Sequence, residues 1–379
     1  MFKNAVTIFR VYGIEIRIDP SWLLIAALFV WNLSVQYFPQ LIPGLSQVTY
    51  FSLGIIAMFG FFASLLLHEL AHSVVAISYG LKIKGITLFI FGGVAGLDSE
   101  PKSARSEFWI AIAGPAMSFA LAGLGYIMAG IFTNIEGGEL GVALFGYLSL
   151  ANLVLAIFNM VPAFPMDGGR VLRAFLWYLK SDLEFATRIA SRLGSVLGIA
   201  IMALGLVSVA TGGGFGGFWL ILIGFFVFGS SRGTYESQRI ERILAGHTVG
   251  QIMTRTPITV DSASRINDLV NEIVLGQNKG FIPVVDGTHL RGFIDRHILH
   301  KIDRENWGSL TVADIYTPLS TENSIAPNLP VQALIEQMQS GPQKKFLVTD
   351  GVHLLGVVSL TDVVSYISLK NEFGITRQV

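Results

Sequence analysis

The pentapeptide His68-Glu69-Leu70-Ala71-His72 lies inside a stretch of the chain that is too apolar for a soluble protein. The run before it, Met58–Leu67, holds no charged side chain. Two histidines four positions apart share one face of a helix, so both imidazoles can reach one zinc ion. The glutamate between them can accept a proton from a water on that ion. The pattern therefore predicts a hydrolytic zinc site at the depth of a lipid bilayer.

The alternative to a metal site is a histidine pair that has a structural role or remains from a site that no longer binds metal. This short pattern also arises by chance. Two observations favour the metal site. Only two of the seven histidines precede residue 247, and both belong to the motif. Ionisable groups inside a membrane helix cost several kcal/mol, so they are seldom kept there without a role.

Composition assigns the chain to the membrane proteins. Of its 379 residues, 52% are hydrophobic and 14% are charged, and the mean hydropathy is +0.60. Soluble domains carry about 25% charged residues. The formal net charge is zero, so no nucleic-acid partner is expected. The chain has no cysteine, which excludes disulfides and thiolate ligands and leaves nitrogen and oxygen to hold zinc.

The polarity of the chain changes near residue 233. Residues 1–233 are apolar and rich in glycine, which predicts an integral membrane domain. Residues 234–246 have the pattern of a polar linker helix that leaves the membrane. The remainder is expected to be a soluble α/β domain of ordinary size, built from two similar units at 247–305 and 306–371. The N-terminus lacks the pattern of a short cleavable signal peptide.

Six segments are long and apolar enough to cross a hydrocarbon core about 30 Å thick, which predicts a multi-pass α-helical membrane protein. The sixth is short for a span. Lys and Arg lie before the first segment, between the second and third, between the fourth and fifth, and after the sixth, whereas the opposite connections hold none. Positive loops stay in the cytoplasm, so both termini and the soluble domain are expected there, with the protein in the cell membrane. The segments are Pro20–Phe38, Tyr50–Tyr79, Phe108–Phe132, Gly141–Val161, Ile189–Ala210 and Phe218–Ser230.

Two parts of the membrane domain break the helical pattern. Gly13–Asp19 alternates isoleucine with charged residues, as in a strand with one wet face. Lys82–Leu97 is apolar and β-branched and is divided by Gly92-Gly93, which predicts a hairpin. Non-helical backbone at membrane depth is tolerated where it lines a cavity. A re-entrant β-hairpin that lines the route to the zinc is therefore expected, and the alternative is a loop on the membrane surface.

A catalytic zinc usually has three protein ligands and one open position. Asp167 is the best acidic candidate for the third ligand in the membrane half. Pro162 and Pro165 interrupt the end of the fourth span, and a new helical stretch begins at Asp167, so its carboxylate could enter the membrane on the side where His72 ends. An aspartate at this place is equally typical of a helix N-cap, and the residues alone leave both interpretations open.

His68–His72 and the run Asn159–Arg170 (NxxPxxPxDGGR) together resemble the two signatures of the site-2 protease family of intramembrane zinc metalloproteases. Their order and the span between them also match, and the resemblance covers about Phe9 to Gly233. It implies that the hairpin pairs with an unwound substrate, which is a transmembrane or membrane-anchored protein. It implies one zinc ion per chain, with these residues at the site: zinc ligands His68, His72 and Asp167, general base and acid Glu69, and Asn159 on the substrate backbone or developing oxyanion.

The soluble half contains an internal repeat of about 63 residues. Its two copies begin at Val249–Met253 and Val312–Tyr316, and each continues with a helix and two short strands. This pattern resembles a tandem pair of CBS domains. The resemblance implies regulation by an adenine nucleotide such as ATP, ADP or AMP, and a homodimer formed through the pair.

The end of the second copy, Gly356–Asp362, is similar to the CBS pattern that contacts ribose and phosphate, which implies the nucleotide ligands Ser359, Thr361 and Asp362. The first copy has Ile298 where the pattern has aspartate. One nucleotide site is therefore expected to be competent and the other altered. The alternative is a dimerisation module that binds no nucleotide.

Two classes of function fit these observations. The first is a zinc-dependent endopeptidase that cuts a membrane protein near the cytoplasmic leaflet. The second is a membrane channel or transporter gated by the CBS pair. A transport path predicts ionisable residues over several spans, or inverted repeats. This chain concentrates such residues in one motif and Asp167, which favours the peptidase.

Overall fold

The computed structural model describes residues 5–97, 100–212, 214–351 and 353–373. The chain divides into two compact units, residues 1–236 and residues 237–379. The first unit contains the long apolar helices, and the second contains the sequence repeat.

Within the described residues, six helical segments are long and apolar enough to cross a membrane. The first is α1 (Ser21–Asn32), which continues through a π-helical turn at Leu33–Tyr37 into α2 (Phe38–Leu41). The shorter helix α6 lies between the fourth and fifth segments. The remaining helices of this part are α3 (Gln47–Ser78), α4 (Ala104–Phe132), α5 (Glu139–Asn159), α6 (Asp167–Lys180), α7 (Leu183–Ala210) and α8 (Gly214–Leu244).

Local signals in the sequence explain where these helices start and stop. Ser103 and Asp182 precede α4 and α7, and each side chain accepts a hydrogen bond from a backbone N–H of the first turn. The sixth segment, which was expected to be short, is longer in the structure because the polar residues after 233 continue α8 without a break. A polar helix was expected at residues 234–246, and in the structure this stretch continues the sixth segment as far as Leu244.

A four-stranded sheet joins the two predicted non-helical segments. Its strands, in the order β1-β2-β3-β4, are β1 (Val6–Val11), β2 (Ile14–Ile18), β3 (Ile83–Phe89) and β4 (Gly92–Leu97). β2 and β3 are parallel, and the other two pairs are antiparallel. The sequence did not predict β1 or the β2–β3 pairing, because strands that are distant in the chain leave no local signal of their partnership.

The hairpin turn lies two residues before the expected glycines. Phe89 pairs with Gly92, so the connection is Ile90-Phe91, and both glycines belong to β4. The sheet is held on the helices by its buried isoleucines. Ile16 of β2 and Ile86 of β3 pack in one cluster with Phe62 of α3, which places the hairpin beside the helix of the histidine motif.

The second unit is a duplicated α/β module. Its strands form two sheets, in the orders β5-β6-β7-β8 and β11-β10-β9. The start of each copy packs with the other copy: Val249 and Ile252 lie in one apolar cluster with Leu334, and Val312 lies in a second cluster with Val260 and Ile282. Leu290, Phe293 and Leu347 form a smaller cluster between the copies. Its elements are α9 (Val249–Ile252), β5 (Val260–Asp261), α10 (Ile266–Asp268) with a π-helical turn at Leu269–Leu275, β6 (Phe281–Asp286), β7 (His289–Asp295), α11 (Arg296–Leu299), β8 (Thr317–Pro318), β9 (Ser324–Ile325), α12 (Val331–Ser340), β10 (Lys345–Asp350), β11 (His353–Ser359) and α13 (Leu360–Glu372), with 3-10 turns at Arg304–Asn306 and Val312–Asp314.

Candidate metal centre

The two motif histidines lie one turn apart on the same face of α3. His68 is 3% exposed and His72 is 6% exposed. Their Nε2 atoms are 3.2 Å apart. The helical spacing therefore brings both imidazoles to one point, as the motif predicts.

Asp167 completes the group from a distant part of the chain. Its Oδ2 lies 3.2 Å from Nε2 of His68 and 3.2 Å from Nε2 of His72. Asp167 is the first residue of α6, and Met166 is the N-cap, with no side-chain cap hydrogen bond. The carboxylate thus faces the histidines and does not cap the helix.

Two glycines allow α6 to begin so close to α3. A β-carbon at Gly168 would overlap the backbone of Met160, and one at Gly169 would overlap the backbone of Ala163 and Phe164. Neither position has space for a side chain. The DGG sequence therefore returns the chain tightly against the proline loop after α5, and this return brings Asp167 to the histidines.

One face of α4 orients the two imidazole rings. Nδ1 of His72 is 2.6 Å from the carbonyl oxygen of Ile110. A carbonyl only accepts, so Nδ1 donates its proton and Nε2 keeps a free lone pair. Nδ1 of His68 is 2.9 Å from Oγ of Ser118, which is fully buried. Gly114 lies between these two positions on α4, and a β-carbon there would overlap both Nε2 atoms.

The geometry fits a zinc ion. His68, His72 and Asp167 form a group whose ligand atoms all lie within 4.8 Å of one another. Zinc bonds of about 2.0–2.1 Å in tetrahedral geometry place two ligand atoms about 3.3 Å apart, close to the 3.2 Å found for each pair. Two imidazole nitrogens and a carboxylate oxygen at this separation are suited to share one cation. Hydrogen bonds on the far side of each ring are typical of zinc histidines.

A cavity of about 520 Å³ opens beside this group. Glu69, Asn159 and Arg170 are among its polar lining residues, and the hairpin segment from Phe89 to Ala95 forms part of its wall. The position of Glu69 depends on Gly93 of β4, because a β-carbon at Gly93 would meet the glutamate side chain at 2.7–3.1 Å. The hairpin therefore lines the cavity that contains the motif.

Sequence reasoning missed the residues that position the centre. Ser118 and the Ile110 carbonyl had no motif that could identify them, since they follow the histidine that each contacts by about forty to fifty positions. Arg173 is one of the cations between the fourth and fifth segments that were used to predict the orientation of the chain in the membrane. In the structure it is buried in α6 and hydrogen-bonded to Glu107 of α4.

The predicted nucleotide ligands lie together where β11 meets α13. Oδ2 of Asp362 accepts hydrogen bonds from the backbone N–H and the hydroxyl of Ser359, at 2.7 Å and 2.6 Å. Oδ1 of Asp362 is 3.3 Å from Oγ1 of Thr254, which donates to it. Thr361 is exposed. Part of the hydrogen-bonding capacity of Asp362 is therefore used in capping α13.

The part of the chain that the structure describes combines six candidate membrane helices with a buried group of two histidines and one carboxylate beside a glutamate, which are the features of a membrane metallopeptidase. Among solved structures, the site-2 protease from Methanocaldococcus jannaschii is 32% identical, with 61% of this chain and 95% of that chain covered and a TM-score of 0.42. The chain matches the model of peptidase family M50 at residues 56–138 and 137–204, and the CBS domain model at residues 249–303 and 312–369.

Two curated relatives match nearly the whole chain. Rip3 of Mycobacterium tuberculosis is 34% identical over 97% of this chain and 94% of its own length. Zinc metalloprotease MJ0392 of M. jannaschii is 31% identical over 97% of this chain and 98% of its own length. The chain therefore belongs to peptidase family M50, and it is a zinc metalloprotease that carries two CBS domains.

Proposed function

We propose that this zinc metalloprotease is an intramembrane endopeptidase, which hydrolyses peptide bonds of transmembrane or membrane-anchored proteins near the cytoplasmic leaflet. The observation that carries the proposal is the place of the His68–His72–Asp167 group. Two of its members are buried on α3, a candidate membrane span. The adjoining cavity is lined mainly by apolar side chains, as expected for a site that receives a membrane segment.

Five polar residues of the cavity have roles in this proposal. His68, His72 and Asp167 would hold one zinc ion, which would supply a Lewis acid to polarise the scissile carbonyl and acidify a water. Glu69 accepts the proton of the attacking water and delivers it to the leaving amine. Asn159 donates an amide hydrogen bond to the substrate backbone or to the developing oxyanion.

The sheet offers a way to hold the substrate. β4 is an edge strand, and within the described residues one side of its backbone has no strand partner. An extended peptide can add to such an edge through main-chain hydrogen bonds. A peptide bond within a helix is protected by its own hydrogen bonds, so the substrate unwinds before it is cut, and β4 holds the unwound segment beside Glu69.

The test is co-expression with candidate single-span proteins. Wild type is expected to produce cleavage fragments, and Glu69→Gln is expected to produce none while it retains zinc, because Glu69 moves protons and is not a ligand. His68→Ala is expected to lose both the cleavage fragments and the bound zinc. Equal fragment yields from wild type and Glu69→Gln would refute the proposed role of Glu69. A Glu69→Gln protein without zinc would show that this residue is a ligand.

We also propose that the second unit binds an adenine nucleotide and forms a homodimer, with the CBS domains at residues 247–305 and 306–371. Ser359, Thr361 and Asp362 are the proposed ligands. The test is isothermal titration of the full chain with ATP, ADP and AMP. Thr361→Val is the informative variant, because Thr361 is exposed whereas Asp362 caps α13. A smaller heat of nucleotide binding in Thr361→Val than in wild type would support the proposed site. The absence of binding heat in wild type with all three nucleotides would refute it.

A further inference from the structure

A buried ion pair connects the two helices that build the metal centre. Glu107, in the first turn of α4, has no exposed surface, and Arg173 of α6 is 4% exposed. Nε of Arg173 donates to Oε1 of Glu107 at 2.6 Å, and a second guanidinium nitrogen contacts the same oxygen. Nε of Arg170 lies 4.0 Å from that oxygen, so two cations of α6 face one carboxylate of α4.

Stability does not account for this pair. Removing two charges from water costs free energy that their attraction repays only when every remaining polar atom is satisfied. Oε2 of Glu107 is buried and has no hydrogen-bond partner within the described part of the chain. Replacing a buried ion pair by apolar side chains of similar volume is often neutral or stabilising. A role in fixing geometry therefore fits this pair better than a role in stability.

The geometry that it fixes is that of the zinc ligands. Glu107 lies one turn before Ile110, whose carbonyl orients His72. Arg173 lies six residues after Asp167 on the short helix α6. Its guanidinium also lies 5.3 Å from the ring centroid of Phe164 in the proline loop. The pair thus ties the helix that orients the imidazoles to the helix and loop that supply the carboxylate.

We propose that Glu107 and Arg173 are positioning residues, which hold Oδ2 of Asp167 at its distance from the two imidazoles. The proposal rests on the zinc ligand set proposed above. Neither residue touches the ligand atoms, and both act through the relative placement of α4 and α6. A directional, two-nitrogen contact restricts helix sliding and rotation more than apolar packing does.

The test is zinc affinity, measured by competition with a chelator on full-length protein in detergent. Glu107→Gln and the double variant Glu107→Gln/Arg173→Gln are compared with wild type. The double variant removes both charges of the buried pair and leaves only Arg170, which is 20% exposed, so it reduces the cost of an unpaired buried charge. Both are expected to bind zinc at least about tenfold more weakly. Losses of this size are usual when residues that orient metal ligands are removed. Glu184→Gln is the control, because its ion pair with Arg188 lies within α7, and wild-type affinity is expected.

Asp167→Ala is measured in the same experiment. Wild-type zinc affinity in Asp167→Ala would refute the ligand set itself. Weak binding in Asp167→Ala, together with wild-type affinity in the Glu107 variants, would overturn only the positioning proposal. If Glu107→Gln does not accumulate, Glu107→Asp keeps the charge but withdraws the carboxylate, and the same loss of affinity is expected. Wild-type zinc affinity in every folded Glu107 variant overturns the positioning proposal.

Discussion

At the scale of single residues, the metal centre depends on hydrogen bonds made away from the metal. The carbonyl of Ile110 fixes the tautomer of His72, and the hydroxyl of Ser118 holds the ring of His68. Both partners lie on the face of α4 that also presents Gly114 to the rings. An imidazole held in this way loses little freedom when it binds a cation. The spacing of the motif brings the rings together, and α4 sets their orientation.

Gly114→Ala should disrupt the centre without disrupting the helix. Alanine favours helix by about 1 kcal/mol over glycine, but its β-carbon would occupy the place of both Nε2 atoms. We expect zinc affinity to fall at least tenfold, measured by chelator competition, with the helix content unchanged. The matched control is Gly123→Ala on the same helix, where a β-carbon meets nothing within 4 Å. Equal zinc affinity in the two variants would contradict this description.

The sequence identifies the proposed ligands more readily than the residues that orient them, and the reason is physical. His68 and His72 are related by helix periodicity, which is local. Asp167 was found as a candidate because few acidic residues lie in the membrane half, although the residues alone could not separate a ligand from an N-cap. Ser118 and Glu107 act through contacts between helices, and single-sequence patterns do not encode those contacts.

At the scale of elements, the hairpin packs against Glu69, the proposed general base. Gly93 of β4 packs directly on the side chain of Glu69, so any larger residue must displace it. Gly93→Ala is expected to move the flexible glutamate and to leave the sheet intact. Proteolysis should fall by about 10²-fold, the usual result of misplacing a catalytic group by about 1 Å. Zinc affinity should not change, because Glu69 is not among the proposed ligands.

The control for this prediction is Gly96→Ala on the same strand, where a β-carbon would find ordinary contact distances, with 3.5 Å to the nearest atom. Fragment yield from the co-expressed substrate and zinc content are measured for both variants. Full activity in Gly93→Ala would show that β4 does not position the base.

Element positions show where sequence patterns reach their limit. The alternation of Gly13–Asp19 predicted β2, because Ile14 and Ile16 face a core and the residues between them do not. β1 has exposed apolar residues without a buried face, so its pattern gave no strand signal. The chain reverses at Ile90-Phe91 and not at Gly92-Gly93. Gly93 instead lies in β4, where it packs closely on Glu69.

At the scale of the whole molecule, the loop charges predict that both termini lie in the cytoplasm. The absence of cysteine makes this directly testable. Glu136 lies between α4 and α5, and Lys180 is the last residue of α6. Both are exposed, so each can be replaced by cysteine and labelled. An impermeant maleimide should label Glu136→Cys in intact cells, and Lys180→Cys only after permeabilisation. The reverse pattern would invert the proposed orientation and move the CBS pair out of the cytoplasm.

The molecule as a whole was more predictable than its parts. Six apolar segments and a 63-residue repeat are properties of long stretches of chain, and the described structure has six candidate spans and a duplicated module. Hydrophobic burial dictates both features, so composition and periodicity reveal them. The burial of Arg173 depends on neighbours in other helices, which composition does not identify.

The most direct test of the central claim is anomalous diffraction at the zinc absorption edge from crystals of the full-length protein. One zinc peak per chain is expected, about 2.0–2.1 Å from Nε2 of His68, Nε2 of His72 and a carboxylate oxygen of Asp167. Loss of that peak in Asp167→Ala crystals would strengthen the assignment. A zinc peak elsewhere in the chain, or none between these three side chains in zinc-supplemented crystals, would contradict it.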